Sequence, residues 1–551
     1  MTEWLLSGHN PHESYAESRP LTITTSVVMQ ADQFHWFLVQ MCGGDESDFD
    51  PTLYSLVAVQ NWVYINMTYY ARNAGVVFPF DPASMGVPAE YLKVDVPKAP
   101  LGRQLMMLPR FLGIYRWLSA FHKTLPPIDQ RLRSAYWELR NSKDPLPLIW
   151  SLFADDLYEH VTLSGRAHVL SALFIIALDG AIRGQVPELV DLFMGHATTT
   201  SMIGRRLWEL RGIAEKCGPE VVTALTSRRL DLNYYTSMPA AAPLVAGVEQ
   251  FLKDYGHRGF EFEMDYAAGR LADHPEHVLM AVASQLQRTS ETPEVRAGQA
   301  REKATAALKK MNPLKRLLWG RILGWGQKLI SWREDSKSNL ALQRALHGRA
   351  SRILTRHFYP DLPEDSMMFY TWEEYVEFGK SQGQKKVSAE VLNQRRAEFD
   401  LYLSQTPPAE LIWYNPETRH WRLAEVAQDK KAQADDQAIK VLNGFGVSAG
   451  PGVVEGVAIV TNDPVDAGER LMSLKGPAIL VTRLTDPAWS SLFAGLTAVV
   501  TELGGVISHA SIVARENGLP AVVGVPEATK WIRNGQRLRI NGATGVVEII
   551  E

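Results

Sequence analysis

The segment from Leu496 to Gly524 limits what this 551-residue chain can fold into more than any other. Leu496–Thr501 reads as a buried strand, Gly504-Gly505 as a turn, and a short helix begins near His509. Ser508 stands where an N-cap belongs, which puts His509 in the first helical turn. Gly518 after Asn517 ends the helix, Pro520 prevents its continuation, and Ala521-Val522-Val523 is the next strand. The two glycines before the helix let the backbone approach closely and take positive φ where needed. A histidine beside the unpaired N–H groups of a helix start is placed to carry an anionic group. A solvated or simply hydrogen-bonded histidine fits the same local pattern.

The texture of the chain changes at Leu442. Beyond it come short Val/Ile/Leu strands and glycine turns: 452–460, 478–482, 498–501, 521–524, 537–540 and 546–550. They predict a compact β/α domain. Before it helices dominate from Arg103 onward. Gln104–His122 carries a 3.6-residue apolar period; Pro109 kinks it or marks its start, and Pro126-Pro127 ends it. Helices are predicted over 130–140, 147–163, 168–182, 186–194, 201–217, 243–255, 311–357 and 388–405. Leu53–Arg72 mixes strand and helix character, Pro20–Val28 is an entry strand or an extended segment, and Trp413–Leu423 a small hairpin. Glu425–Lys440 is hydrophilic with little to bury. The division predicted is a helical domain over 1–424, a linker over 425–441 and a second domain over 442–551.

Composition matters only for what it excludes. Cys42 and Cys217 are the two cysteines, too few for a disulfide framework or a cysteine-based zinc site, and no metal site is expected. A net charge of −4 gives no sign of a nucleic-acid surface. No basic segment leads into an apolar core at the N-terminus, and no apolar window is long enough to cross a bilayer. A cytoplasmic location with no membrane partner is the expectation.

The pattern Gly504-Gly505-x-x-Ser508-His509-Ala510-x-x-Val513-Ala514-Arg515-Glu516-x-Gly518-x-Pro520-Ala521-Val522 resembles the phosphohistidine swivelling domain of the phosphoenolpyruvate-utilising enzymes. Leu442–Val460, Leu480–Trp489 and Asn534–Val546 extend the likeness over about 442–551. The resemblance implies a mainly α acceptor domain followed by a C-terminal β/β/α swivelling domain. It makes His509 the phosphoryl carrier, with Gly504, Gly505 and Ser508 supporting the phosphate. Arg515 is either a phosphate ligand or a surface or inter-domain ion-pair residue; Thr501 and Asp486 are weaker candidates. Ile507 stands where pyruvate-directed members have threonine, which steers the acceptor away from pyruvate.

Upstream, Tyr255-Gly-His-Arg-Gly259 with Glu261 and Glu263 resembles part of the acceptor domain in rifampin phosphotransferase-like proteins. The Pro-Arg-Trp that commonly follows is absent. His257 could take a proton from an attacking hydroxyl and Arg258 hold phosphoryl oxygens; a buried network fixing a helix end explains the same residues. His196, Thr199 and Arg205 align with a polar stretch of those domains, and the hydroxyls of Thr198–Ser201 equally suit the cap of a helix at Ser201. Neither an ATP-grasp module nor a phosphoenolpyruvate-binding barrel is recognisable. The resemblance is therefore to the carrier-acceptor subunit of a split aryl-phosphate synthase. That implies an ATP-grasp partner subunit holding ATP and Mg2+, and a small hydroxyl acceptor such as phenol or 4-cresol. An antibiotic or natural-product phosphotransferase, a ligase subunit, and a regulatory phosphocarrier are the alternatives.

Overall fold

The computed structural model describes residues 4–7, 19–22, 56–60, 62–69, 101–154, 157–186, 189, 199–260, 263–286, 302, 305–405, 411–423, 441–447, 452–474, 476–485, 489, 492–505 and 508–550. Along the chain, strands β1 (Trp4–Ser7), β2 (Leu56–Val59) and β3 (Trp62–Asn66) precede a long helix, α1 (Leu101–Asn141). Helices α2 (Leu146–Ala154), α3 (Leu157–Gln185), α4 (Thr199–Lys216), α5 (Pro219–Thr226) and α6 (Ala242–Tyr255) follow. A short ladder, β4 (Gly259–Phe260) with β5 (Gly269–Arg270), leads to α7 (Pro275–Leu286) and α8 (Pro313–Phe358). Then come α9 (Trp372–Lys380), α10 (Ala389–Ser404) and the antiparallel pair β6 (Leu411–Tyr414) and β7 (Trp421–Leu423). The remainder alternates β8 (Val441–Asn443), β9 (Phe445–Val447), β10 (Val453–Val460), α11 (Pro464–Ser473), β11 (Ala478–Thr482) and β12 (Ala498–Thr501). It closes with α12 (His509–Glu516), β13 (Ala521–Val523), β14 (Arg537–Asn541) and β15 (Val546–Ile549).

Two compact units result. One gathers residues 1–171, 262–268 and 336–435, the other residues 172–261, 269–335 and 436–551. A mainly helical N-terminal part followed by a C-terminal sheet region is what the sequence predicts. The segment expected to be a linker lies, but for Val441, outside the described residues.

In the first unit, α1 does not stop at Pro126-Pro127 but runs through all three of its prolines. Each proline removes an i→i−4 bond, yet all three are solvent-exposed while a stripe of Ile114, Leu118, Phe121, Leu125, Leu132, Tyr136 and Leu139 is buried. Recurring at three- and four-residue steps, with one seven-residue gap, that stripe holds the helix across the missing bonds. Pro20–Thr22 is helical rather than extended, and Val186 lies just past α3 rather than inside a further helix. A five-stranded antiparallel sheet runs in the order β2-β3-β1-β6-β7. Its strands β2 and β3 bring Leu56 and Val63 onto Val161, Met264, Leu340 and Ala341.

The C-terminal half of α8 buries a polar row at four-residue steps: Asn339, Gln343, His347, Ser351 and Thr355. Asn339 accepts from Ser164 Oγ at 2.8 Å and donates to Asp129 at 2.6 Å. His347 lies among the rings of Phe153, Tyr266, Trp372 and Tyr375. Burial, with the Arg344 guanidinium adding to it, pushes its pKa down to about 3.

In the second unit, the eight strands run β8-β15-β14-β10-β11-β12-β13-β9, with β10 to β13 parallel. Both faces are covered, which explains the unbroken apolar runs. Ala478, Leu480, Val499, Ala521 and Val523 point to the side of α11 and α12. Ile479, Val481, Ala498, Val500 and Val522 point to the other side, with Val525, Ala528 and Ile532.

The buried histidine fixes an acid dependence. His347 stays neutral in the fold down to about pH 3, whereas in the unfolded chain it takes a proton below about pH 6.5. Its contribution is therefore intact above about pH 6.5 and is lost below it, at about 1.4 kcal/mol per pH unit. The melting temperature is expected to fall as pH drops from about 6.5 to about 5, and His347→Gln to flatten that slope. Calorimetry across the range measures both.

Candidate functional site

Loops after parallel strands converge where the strands' carboxyl ends line up, the usual position of sites in such sheets. Here β11 and β12 are neighbours in register, Thr482 opposite Thr501. The loop after β11 brings Thr485, and the loop after β12 brings Gly504, Gly505, Ser508 and His509.

The second loop is fixed by a small set of bonds. Thr501 Oγ1 donates to the carbonyl of Leu503 at 2.8 Å. Gly504 has φ +114°, and a Cβ there would lie 2.9 Å from both Cβ and Oγ of Ser508. The Ser508 N–H donates to the Gly505 carbonyl at 2.9 Å. Ser508 then caps α12, its Oγ accepting from the Ser511 N–H at 3.3 Å. Ser511 Oγ donates to the Gly505 carbonyl at 2.7 Å, so the cap and the turn are tied to each other. Gly518, with φ +64°, follows the helix as expected.

His509 occupies the first position of α12 and is buried, 4% exposed. Its Nδ1 is 3.0 Å from Thr485 Oγ1, whose residue is itself 2% exposed. The Phe493 ring meets the imidazole edge-on, with centroids 6.2 Å apart. The ring is thus fixed at one nitrogen and along one edge. Hydroxyl and imidazole each both donate and accept, so this bond survives either tautomer. Thr485 went unnoticed in the sequence although it lies inside Leu480–Trp489. A threonine before Asp-Pro carries no local sign of a partner 24 residues away.

The other predicted site residues divide. Arg515, in the last turn of α12, is 6% exposed, so the reading of it as a surface residue is corrected: it is buried. His257 and Arg258 follow the end of α6 and are buried at 2% and 1% exposure. The Arg258 carbonyl accepts from the Leu271 N–H at 3.0 Å, beside the β4–β5 ladder. Both belong to the second unit, as does His509, whereas Glu263 is buried in the first. Arg205 is exposed on α4, and Thr199 opens that helix. His196, Glu261, Asp486 and Ile507 lie outside the described residues. Among the described residues no cluster of histidine, cysteine and carboxylate could hold a metal ion. No described helix is long and apolar enough to cross a membrane.

Known proteins match these same two regions. Residues 474–545 match the profile of the PEP-utilising enzyme mobile domain, and residues 167–334 that of the rifampicin phosphotransferase fourth domain. A rifampicin phosphotransferase of Streptomyces sp. is 39% identical over 32% of this chain and 18% of its own length. A phosphoenolpyruvate synthase of Aeropyrum pernix is 37% identical over 27% of this chain and 18% of its own. The prodigiosin synthesizing transferase PigC of Serratia marcescens is 28% identical over 54% of this chain and 33% of its own. The matched regions thus span a third or less of each of these relatives.

The turn before His509 gives a direct test. Gly504→Ala places a side chain at φ +114° against Ser508, a strain of about 1–3 kcal/mol. Its melting temperature is expected to drop, and that of Gly452→Ala, where an added Cβ meets nothing within 4 Å, to stay near wild type.

Proposed function

We propose that this chain, which matches the PEP-utilising enzyme mobile domain over residues 474–545, relays a phosphoryl group through His509 to the hydroxyl of a small acceptor. The observation that carries the reading is the buried His509 at the start of α12, with its Nδ1 held by Thr485. With the proton on Nδ1 and donated to Thr485 Oγ1, the lone pair sits on Nε2, which is the nucleophile. In loading, Nε2 attacks phosphorus, an N–P bond forms, and the bond from phosphorus to the nucleotide oxygen breaks. The donor is ATP, held with Mg2+ by an ATP-grasp partner subunit: attack at its β-phosphorus expels AMP, and water then cleaves the β–γ bond, releasing phosphate and leaving one phosphoryl group on Nε2. Helix N–H groups at the start of α12 favour the transferred negative charge.

In the second half the acceptor oxygen attacks phosphorus in line and the N–P bond breaks, its electron pair returning to Nε2. The hydroxyl proton goes to a general base, assigned to His257, and Arg258 offsets charge on the phosphoryl oxygens. Their burial in the same unit as His509 supports the assignment. We assign the acceptor to the phenol class. The match of residues 167–334 to a rifampicin phosphotransferase domain favours a second reading, in which the acceptor is the hydroxyl of an antibiotic or other natural product.

Three variants separate the steps. Mixed with an ATP-grasp partner and ATP labelled at the β or γ position, wild type is expected to take label from one position only. His509→Ala takes none, and equal labelling of that variant would refute the carrier role. His257→Ala is expected to load normally and form no aryl phosphate; undiminished turnover removes His257 from the mechanism. Losing one hydrogen bond to the reacting ring is worth about 1 kcal/mol. Thr485→Val should therefore load His509 roughly fivefold to tenfold more slowly, while Thr485→Ser keeps most of the rate.

A further inference from the structure

Helix α8 begins on a local signal. Asn312 caps it, its Oδ1 accepting from the Lys315 N–H at 2.8 Å, and Pro313 takes the first position. Residues 313–318 are all exposed, so the start of the helix projects clear of the core. Beyond that the helix has two faces. Trp319, Leu323, Gly326 and Ile330, at steps of three and four, are buried. Leu314, Leu317, Leu318, Arg321 and Lys328 lie on the opposite face and are exposed. Leu314 is 77% exposed, Leu317 58% and Leu318 55%, among the most exposed large apolar side chains described. A single exposed leucine needs no account, but three on one face rimmed by charge mark an interaction site.

The surrounding charge decides the occupant. From 303 to 333 the chain has no aspartate or glutamate, although its net charge is −4. Lys309, Lys310, Lys315, Arg316, Arg321 and Lys328 are exposed, and none makes an ion pair with a described residue. All of these residues belong to the second unit. The patch therefore fits an anionic surface. A second copy of the chain is disfavoured, because two such faces would set cation against cation. A nucleic acid would engage the cations and leave the leucines in water. The patch is convex, so a protein partner would need a matching acidic pit. Lipid needs none: its acyl boundary takes leucines where its headgroups meet cations.

We propose that Leu314, Leu317 and Leu318, with the cations around them, dock on the surface of a bilayer containing anionic lipid. The leucines enter the boundary between headgroups and acyl chains, and Lys315 and Arg316 beside them meet lipid phosphates. No described helix is long and apolar enough to cross a bilayer, and a helix lying on the surface needs no such length. This docking is independent of the phosphoryl-relay reading.

The test sediments the full-length chain with vesicles of phosphatidylcholine, alone or mixed equally with phosphatidylglycerol. Wild type is expected to bind the mixed vesicles and to leave the neutral ones in solution. Binding should weaken severalfold as salt rises from about 0.1 M to about 0.5 M. Leu314→Ser, Leu317→Ser and Leu318→Ser together are expected to melt like wild type and to bind about tenfold more weakly or worse. Glutamine at Lys315, Arg316 and Arg321 should lower binding about fivefold per cation. Absence of wild-type binding to the mixed vesicles overturns the proposal, as does undiminished binding by the serine variant. Equal binding to both kinds of vesicle overturns the role of the cations. Binding of polyglutamate but not of vesicles, with the same dependence on the leucines, would give the face to an acidic protein instead. A dimer in sedimentation velocity that the serine variant abolishes would give it to a second copy.

Discussion

The hydrogen bond between Thr485 and His509 is the interaction on which the geometry of the candidate site depends. An imidazole with both nitrogens free rotates about its side-chain torsions and presents either nitrogen. One held at Nδ1 by a buried hydroxyl presents the other in a fixed direction. That bond exists only because two parallel strands end side by side, and they do so because each is buried on both faces. The alternation of Ala478, Leu480 and Val499 with Ile479, Val481 and Val500 therefore reaches as far as the Thr485–His509 bond. A one-residue slip between β11 and β12 would exchange the two faces and carry Thr485 away from the ring.

The same economy governs the turn before α12. Ser508 caps the helix, Ser511 ties the cap to Gly505, and Gly504 gives the space in which the serine side chain sits. Three small residues thus do what a larger side chain would prevent. The helix N-terminus, with His509 at its first position, is kept close to the strand ends.

Much of this was legible in the sequence because it is local. The N-cap at Ser508, the helix over His509–Glu516, the glycine at its end and the strand after it are encoded within a few residues of where they act. The antiparallel pair near Trp413 was legible too. What escaped was set at a distance. Thr485 gains its meaning from a residue on another loop. Pro126 and Pro127 read as a helix end, since a local rule cannot weigh seven buried side chains against two absent hydrogen bonds. The burial of His257 and Arg258 was not decided by their motif, because a Gly-His-Arg triplet looks the same on a surface and in a core. Trp4–Ser7 is too short to announce itself as a strand, and its partners lie some sixty and four hundred residues away.

That short strand has a consequence for how the first unit comes into being. In the order β2-β3-β1-β6-β7 it is the middle strand, made from the first residues of the chain and paired on one side with residues 411–414. During synthesis the sheet waits, one edge of β1 open, until about three quarters of these 551 residues have been made. Contacts of such sequence separation are slow to form and leave strand edges exposed meanwhile. The N-terminus is thus the keystone of the sheet, and a truncation or fusion that displaces Trp4–Ser7 would split it into two small hairpins.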